Sequence, residues 1–278
     1  MRVLISADGE GISGITSTDE MLYGKPEFQR FRELMTLDVN AAIAGAFDAG
    51  ATEVIVNDSH WTMTNIIMEQ LDSRADLIKG FHKYLCMVEG VQSEVDAVFF
   101  VGYHAMTGHS DGVANETIVG REMIETRMNG QPVGEIALNA ALCGHYGAPV
   151  VFLSGDDMME QEAKALLGDV ECAVTKYAID RWTARCVGLE RSRERIRAGA
   201  ANALRRLSSF TPYTVDGPIT LEVEFSSTSE AYWAALVPGT ERKNHRTVAY
   251  TGENIAEAWR GFFAALLLGW SATDEVYG

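Results

Sequence analysis

Four short apolar runs punctuate the first half of the chain, and each ends in a polar cluster. Arg2 to Ala7 (RVLISA) gives way to Asp8-Gly9-Glu10, and Glu53 to Val56 (EVIV) to Asn57-Asp58-Ser59-His60. Ala97 to Gly102 (AVFFVG) leads into Tyr103-His104, and Pro149 to Leu153 (PVVFL) into Ser154-Gly155-Asp156-Asp157. Unbroken runs rich in Val, Ile and Phe predict strands buried on both faces, hence a parallel sheet covered by helices. Helical periodicity fills the intervals. Residues 27–49 set Phe28, Phe31, Met35, Val39, Ile43 and Phe47 on one stripe that stops at Gly50, and residues 133–143 form a second helix with Pro132 near its start.

Beyond about residue 157 the pattern changes. Residues 158–167 and 177–207 read as helices, the latter broken at Gly188. Residues 219–225 (ITLEVEF) alternate strictly, which predicts a half-buried strand of an antiparallel or mixed sheet. Residues 246–250 suggest another strand and 253–268 a closing helix. The expected fold class is α/β: a mostly parallel sheet core with helices on both faces, plus a smaller α+β lobe. The division falls near residue 170, giving a core over 1–170 and a lobe over 171–278, with both free to contribute to one continuous site.

In an open α/β sheet, ligands bind beyond the carboxyl ends of the strands, where the polar clusters fall. Composition narrows the chemistry. The 278 residues carry 39 acidic and 23 basic side chains, a formal net charge of −16, which speaks against nucleic acid or an anionic membrane as partner. The longest apolar run, Phe262 to Trp270, is half of a membrane span and reads as buried core or a subunit interface. The opening residues lack the apolar stretch and cleavage site of a secretory leader, and the four cysteines form no CxxC pair. A cytoplasmic location with reduced thiols is expected.

Asp8 and Glu10 are two apart and so share one face of a fraying strand. Two close carboxylates raise each other's pKa unless a cation sits between them. His60 and His104 end the second and third strands on the same rim. An Asp, Glu and His set without Cys suits zinc or another first-row divalent ion, and a shared carboxylate suits a metal pair. His109, in the loop MTGHSDG, is near enough in sequence to His104 to line the same cavity; His82, His145 and His245 lack such a setting. The turn DGEGISG does not have the GxGxxG order of a dinucleotide loop, and GxSxG is absent.

MRVLISADGEGISG, EVIVNDSH, the VGYHA run, RMNGQPVGEIALNA and PVVFLSGDD together resemble the M55 metallopeptidases, the D-aminopeptidase family formerly labelled dipeptide transport proteins. The likeness extends over nearly the whole chain, including ELMTLDVNAAIAGAFDAG and WAALVPGTE. It implies two Zn2+ per subunit, with Mn2+ or Co2+ as substitutes, held by Asp8, Glu10, His60, His104 and Glu135, with Asp8 bridging. Glu135 enters only through this resemblance. The likeness also implies a homo-oligomer, a decamer in the family, whose active sites face an internal cavity.

One stretch departs from the pattern. The family places a Ser/Ala-His pair after GYHA…GV, the histidine being the proposed catalytic residue. Here GYHAMTGHSDGVANETIVG puts Asn115 and Glu116 in those places and lengthens the loop by one residue. Glu116 then serves as general base, or His109 reaches in from the longer loop, or the chemistry has shifted to another amide or weakened. The expected activity is that of a dinuclear-zinc amide hydrolase, an aminopeptidase acting on short peptides or aminoacyl amides, D-residues included. A metal-dependent hydrolase of a non-peptide amide is the alternative, and a non-catalytic small-peptide binder a remoter one. Asp156 or Asp157 is a candidate for the substrate amino end, and Lys176 or Arg181 for a carboxylate.

Overall fold

The computed structural model describes residues 1–273. Its first part runs β1 (Arg2–Ala7), α1 (Thr18–Met21), α2 (Phe28–Asp48), β2 (Glu53–Asp58), β3 (Ala75–Ile78), β4 (Ala97–Tyr103), β5 (Met123–Met128), β6 (Gln131–Pro132), α3 (Glu135–His145), β7 (Val150–Asp156) and α4 (Asp157–Leu167). There follow β8 (Glu171–Asp180), β9 (Thr183–Cys186), α5 (Leu189–Arg205), β10 (Ile219–Phe225), α6 (Thr228–Ala234), β11 (Thr240–Arg242), β12 (Thr247–Gly252) and α7 (Ile255–Trp270).

The apolar runs become strands whose alternate side chains enter two cores. Val3, Ile5 and Ala7 of β1 point to one face with Phe99 and Val101 of β4, while Leu4, Val98 and Phe100 point to the other. These strands belong to a seven-stranded sheet of order β3-β2-β1-β4-β7-β8-β9, parallel except for β9. From β1 the chain builds outward through β2 and β3, then returns to place β4 on the opposite side of β1. The carboxyl ends of β1 and β4 therefore diverge at a topological switch point, the crevice where such sheets bind ligands.

One face is covered by α2 and α5. The stripe read from the sequence is buried at Phe31, Met35, Val39 and Ile43, and Ile196, Ala200 and Leu204 of α5 join the same core. The two helices touch at Gly45, where an added Cβ would run into the backbone of Arg197. The other face carries α3, buried from Glu135 to Gly144. Beyond it lies an antiparallel sheet of order β11-β12-β10-β5-β6. In β10, Ile219, Leu221, Val223 and Phe225 are buried, as the alternation predicts, and Trp259, Phe262 and Leu266 of α7 close this core. The architecture is thus α/β, with helices on both faces of the large sheet and an additional antiparallel-sheet lobe. Among the described residues, no helix is long and apolar enough to cross a membrane.

The helical reading of 177–207 is corrected over its first third. Residues 171–180 form β8, which pairs with β7 and turns at Arg181–Trp182 into β9; helix begins only at Leu189. Strand pairing decides the conformation here: Val174, Thr175, Tyr177 and Ile179 favour a strand, and β8 buries Ala173, Thr175 and Lys176 against the sheet and the loop beside it.

The Gly45 contact makes a specific demand. Gly45→Ala forces α2 and α5 apart, and denaturant unfolding should show a loss of about 2 kcal/mol, beyond what the better helix propensity of Ala returns.

Candidate metal centre

Backbone bonds bring three strand ends into one place. Asp8 N–H donates to Val101 O (2.8 Å), Gly11 N–H to Gly102 O (2.7 Å) and Ser59 N–H to Ala7 O (2.7 Å). The loop after β1 is fastened from beneath by Lys176, whose buried ammonium donates to the carbonyls of Glu10, Ile12 and Ile15. Asp38 of α2 accepts Ser13 N–H (2.9 Å) and pairs with Arg193 of α5. The loop after β2 is organised by Asp58, which accepts the backbone N–H groups of Asn65 and Ile66 (2.6 and 2.8 Å). Gly9 lets the His60 ring lie against the chain; a Cβ there would stand 2.6 Å from His60 Nδ1.

These constraints gather two groups of donors around Asp8. His60 Nδ1 lies 3.3 Å from Asp8 Oδ1 and 3.1 Å from Glu10 Oε2. His104 Nε2 lies 3.2 Å from Asp8 Oδ2 and 3.2 Å from Glu135 Oε1. Donors bound about 2.0 Å from one tetrahedral ion are separated by about 3.3 Å, which is the spacing of both groups. Glu116 makes a third set with Glu10 and His104, whose donor atoms lie within 4.8 Å of one another.

A metal fits this arrangement better than hydrogen bonding does. Asp8 Oδ2, Glu10 Oε2, His104 Nε2, Glu135 Oε1 and Glu116 Oε2 are all buried without a hydrogen-bond partner. Neighbours orient several of them. His104 Nδ1 faces Ala105 O (3.0 Å), which leaves Nε2 as the inward atom, and Glu135 Oε2 accepts Ile118 N–H (3.0 Å), which leaves Oε1 inward.

Electrostatics tell the same story. Burial works to raise the Asp8 carboxyl, but His104 and His60 outweigh it and hold it well below the usual range. Burial lowers both imidazoles, yet Glu10 and Asp8 drive His60 well up, and Glu135 and Asp8 do so for His104. Glu135 is pushed up to about 7 by burial and Asp8, against the pull of His104. Burial, then the charges of Glu10 and Glu135, push Glu116 well above the carboxylate range. So much negative charge in one dry place calls for cations, and the O/N donor set suits zinc or a related divalent ion. Two donor groups sharing Asp8 describe a dinuclear centre.

The centre opens into a cavity of about 760 Å3. Phe263, Leu266, Leu267 and Trp270 of α7, with Met63 and Phe81, form an apolar wall. Glu116, Arg181 and Trp182 also line it. The run at Phe262 to Trp270, expected as core or interface, therefore divides its residues between core and cavity wall.

Other sequence candidates lie elsewhere. His109 does not line the cavity, and its Nδ1 takes the N–H of Asp111 (3.3 Å). Asp156 caps α4 through Met159 N–H (2.8 Å) and accepts Val113 N–H (2.7 Å); Asp157 accepts Ala178 N–H (2.7 Å). Neither is turned to a substrate, and Lys176 is spent on the β1 loop. The sequence reading missed Trp61, Trp182 and the α7 residues as cavity lining, because nothing local marks an apolar side chain as wall rather than core.

The peptidase M55 family model, described as D-aminopeptidase, matches residues 1–264. The chain belongs to the M55 family. A D-aminopeptidase of Bacillus subtilis (strain 168) is 36% identical over 261 residues, 94% of each chain. The solved structure of the Zn-dependent D-aminopeptidase DppA from Bacillus subtilis, described as a self-compartmentalizing protease, superposes with a TM-score of 0.94 at 34% identity. That match covers 99% of this chain and 100% of the other. With the donor groups in place, this M55 member is a metal-dependent hydrolase of amide bonds.

Gly9→Ala tests the centre's dependence on the close approach of His60. The variant should bind less than half the zinc of the parent after equilibration and dialysis, with an unchanged far-UV circular dichroism spectrum.

Proposed function

We propose that the protein is an aminopeptidase that hydrolyses short peptides or aminoacyl amides, D-residues included. In this reading Asp8, Glu10, His60, His104 and Glu135 hold two zinc ions, Asp8 is shared between them, and Glu116 is the general base. The observation that carries it is the pair of donor groups on either side of Asp8, opened to a cavity and faced by one further carboxylate. When bound, the ions supply Lewis acidity toward the amide carbonyl and lower the pKa of water.

The protein's own groups supply the rest. Glu116 faces the donor groups with a buried Oε2 that has no partner, so it can take a proton from water and return it to the leaving nitrogen. Burial and the charges of Glu10 and Glu135 push its carboxyl up, and cations held by the donor groups would oppose that push and keep the carboxylate available as a base. The loop that presents it bends through positive φ at Ala114 (49°) and Ile118 (60°). Such conformations persist where neighbours impose them, and here Arg181 O accepts Ala114 N–H (2.6 Å) and Glu135 accepts Ile118 N–H. His109 has no comparable approach to the donors. The apolar wall favours a substrate with an apolar side chain and limits water around the reacting bond. The self-compartmentalizing character of the Bacillus subtilis protease supports a homo-oligomer, which this reading takes to be a decamer, and the protein is taken to be cytoplasmic.

Elemental mass spectrometry should find two divalent ions per chain, and stripping them with a chelator should abolish hydrolysis, with zinc, manganese or cobalt restoring it. A panel of aminoacyl amides of both hands, beside N-acyl and aryl amides, separates the aminopeptidase from the non-peptide amidohydrolase. Turnover confined to the N-acyl or aryl amides would sink the aminopeptidase reading. Glu116→Gln should keep both ions and lose on the order of 10²- to 10⁴-fold in kcat; an unchanged kcat would remove Glu116 from the mechanism. Native mass spectrometry should show a decamer, and a monomer would refute the assembly.

A further inference from the structure

Arg181 occupies an unusual position. It lies at the turn between β8 and β9, lines the same cavity as the metal donors, and has its ring neighbour Trp182 beneath the guanidinium at 4.9 Å. Its backbone carbonyl accepts Ala114 N–H and its Nη2 donates to Asn115 O (3.0 Å), so the turn is pinned to the loop that carries Glu116. Its Nε is buried and has no hydrogen-bond partner. Among the described residues, no carboxylate lies within ion-pair distance of it, although the cavity is lined by Asp8, Glu10, Glu116, Glu122 and Glu135. The other cation on the wall, Arg121, acts on Glu122.

A guanidinium offers five donors in a planar fork that matches a carboxylate. Withdrawing part of that fork from water without a partner is costly, and a structural clamp would need only the contacts to Ala114 and Asn115. We propose that Arg181 receives the free C-terminal carboxylate of a short peptide whose scissile amide lies at the metal centre. Asp8, Glu10, Glu116 and Glu135 belong to the donor groups, where cations would neutralise them, and Arg181, fixed to the loop that carries Glu116, offers the complementary charge to a substrate carboxylate. A single aminoacyl amide lacks that carboxylate, whereas a dipeptide or tripeptide carries it within the reach of one cavity. This inference rests on the aminopeptidase reading and deepens it: the preferred substrates are short peptides with a free acid end, rather than amides, esters or internal segments of long chains.

The test uses dipeptides and tripeptides with D- or L-residues at the amino end, each as free acid and as C-terminal amide, on the full chain loaded with zinc. The parent should favour the free acid on the order of tenfold or more in kcat/KM, the value of a charge-assisted fork. In Arg181→Gln that ratio should fall to about one, with the loss carried by KM on the acid, and Arg181→Lys should restore part of it. Zinc content and circular dichroism establish that each variant is folded. A parent without preference, or an Arg181→Gln variant that keeps the ratio, overturns the inference and leaves the hydrolase intact. The parental comparison decides the matter even where a variant does not fold. No turnover of any peptide by protein holding two ions overturns the aminopeptidase reading itself, and this inference with it.

Discussion

Mutual repulsion among buried carboxylates governs this molecule. Asp8, Glu10, Glu116 and Glu135 converge in a space from which water is largely removed, with two imidazoles between them. Hydrogen bonding cannot satisfy such a set, and protons shared with His60 and His104 satisfy it only in part. Two divalent cations bring four positive charges against four negative ones, so the charge of the donor set itself favours a pair of ions over a single one.

Holding repelling groups together demands rigidity elsewhere, and the fold provides it in backbone. Parallel strands bonded to one another fix the starting points of the donors, while a buried ammonium and a buried carboxylate clamp the loop that carries two of them. Below lies a polar seam in which Ser6, Ser59 and Tyr103 exchange hydrogen bonds of 2.8 Å and Asn139 donates to Tyr103 (3.1 Å). Ser59 adjoins His60, and Asn139 lies one helical turn beyond Glu135. The seam therefore ties the supports of donors on separate elements together.

The parallel sheet was legible because its strands are buried on both faces and so read as unbroken apolar runs. Asp8, Glu10, His60 and His104 were legible for a related reason: a polar residue directly after such a run must lie on the rim. Glu135 was not, since a carboxylate in the first turn of a helix is commonplace and only the family resemblance marks it. The segment 177–187 misled because Ala, Asp and Arg interrupt its β-formers Tyr177, Ile179, Trp182, Thr183 and Val187, so no apolar run or strict alternation marks it, and pairing to β7 and β9 decides its conformation. Lys176 looked like a site for a substrate anion, but its partners are three carbonyls that are distant in sequence and become neighbours only after folding. Cavity-lining residues of α7 share the apolar character of their buried neighbours, so the distinction between wall and core exists only in three dimensions.

The donors and the apolar wall come from different layers. Asp8, Glu10, His60 and His104 stand at the rim of the large sheet, and Glu135 begins the helix packed on it; Phe263, Leu266, Leu267 and Trp270 belong to the helix that closes the antiparallel sheet. A substitution in that helix can reshape the cavity without moving a donor, and the side chains exchanged need satisfy only volume and hydrophobicity. The two layers meet where α7 packs on α3, yet the four donors on the sheet rim stand apart from that contact. The shape of the cavity can thus be retuned along α7 while the groups that hold the metals keep their places.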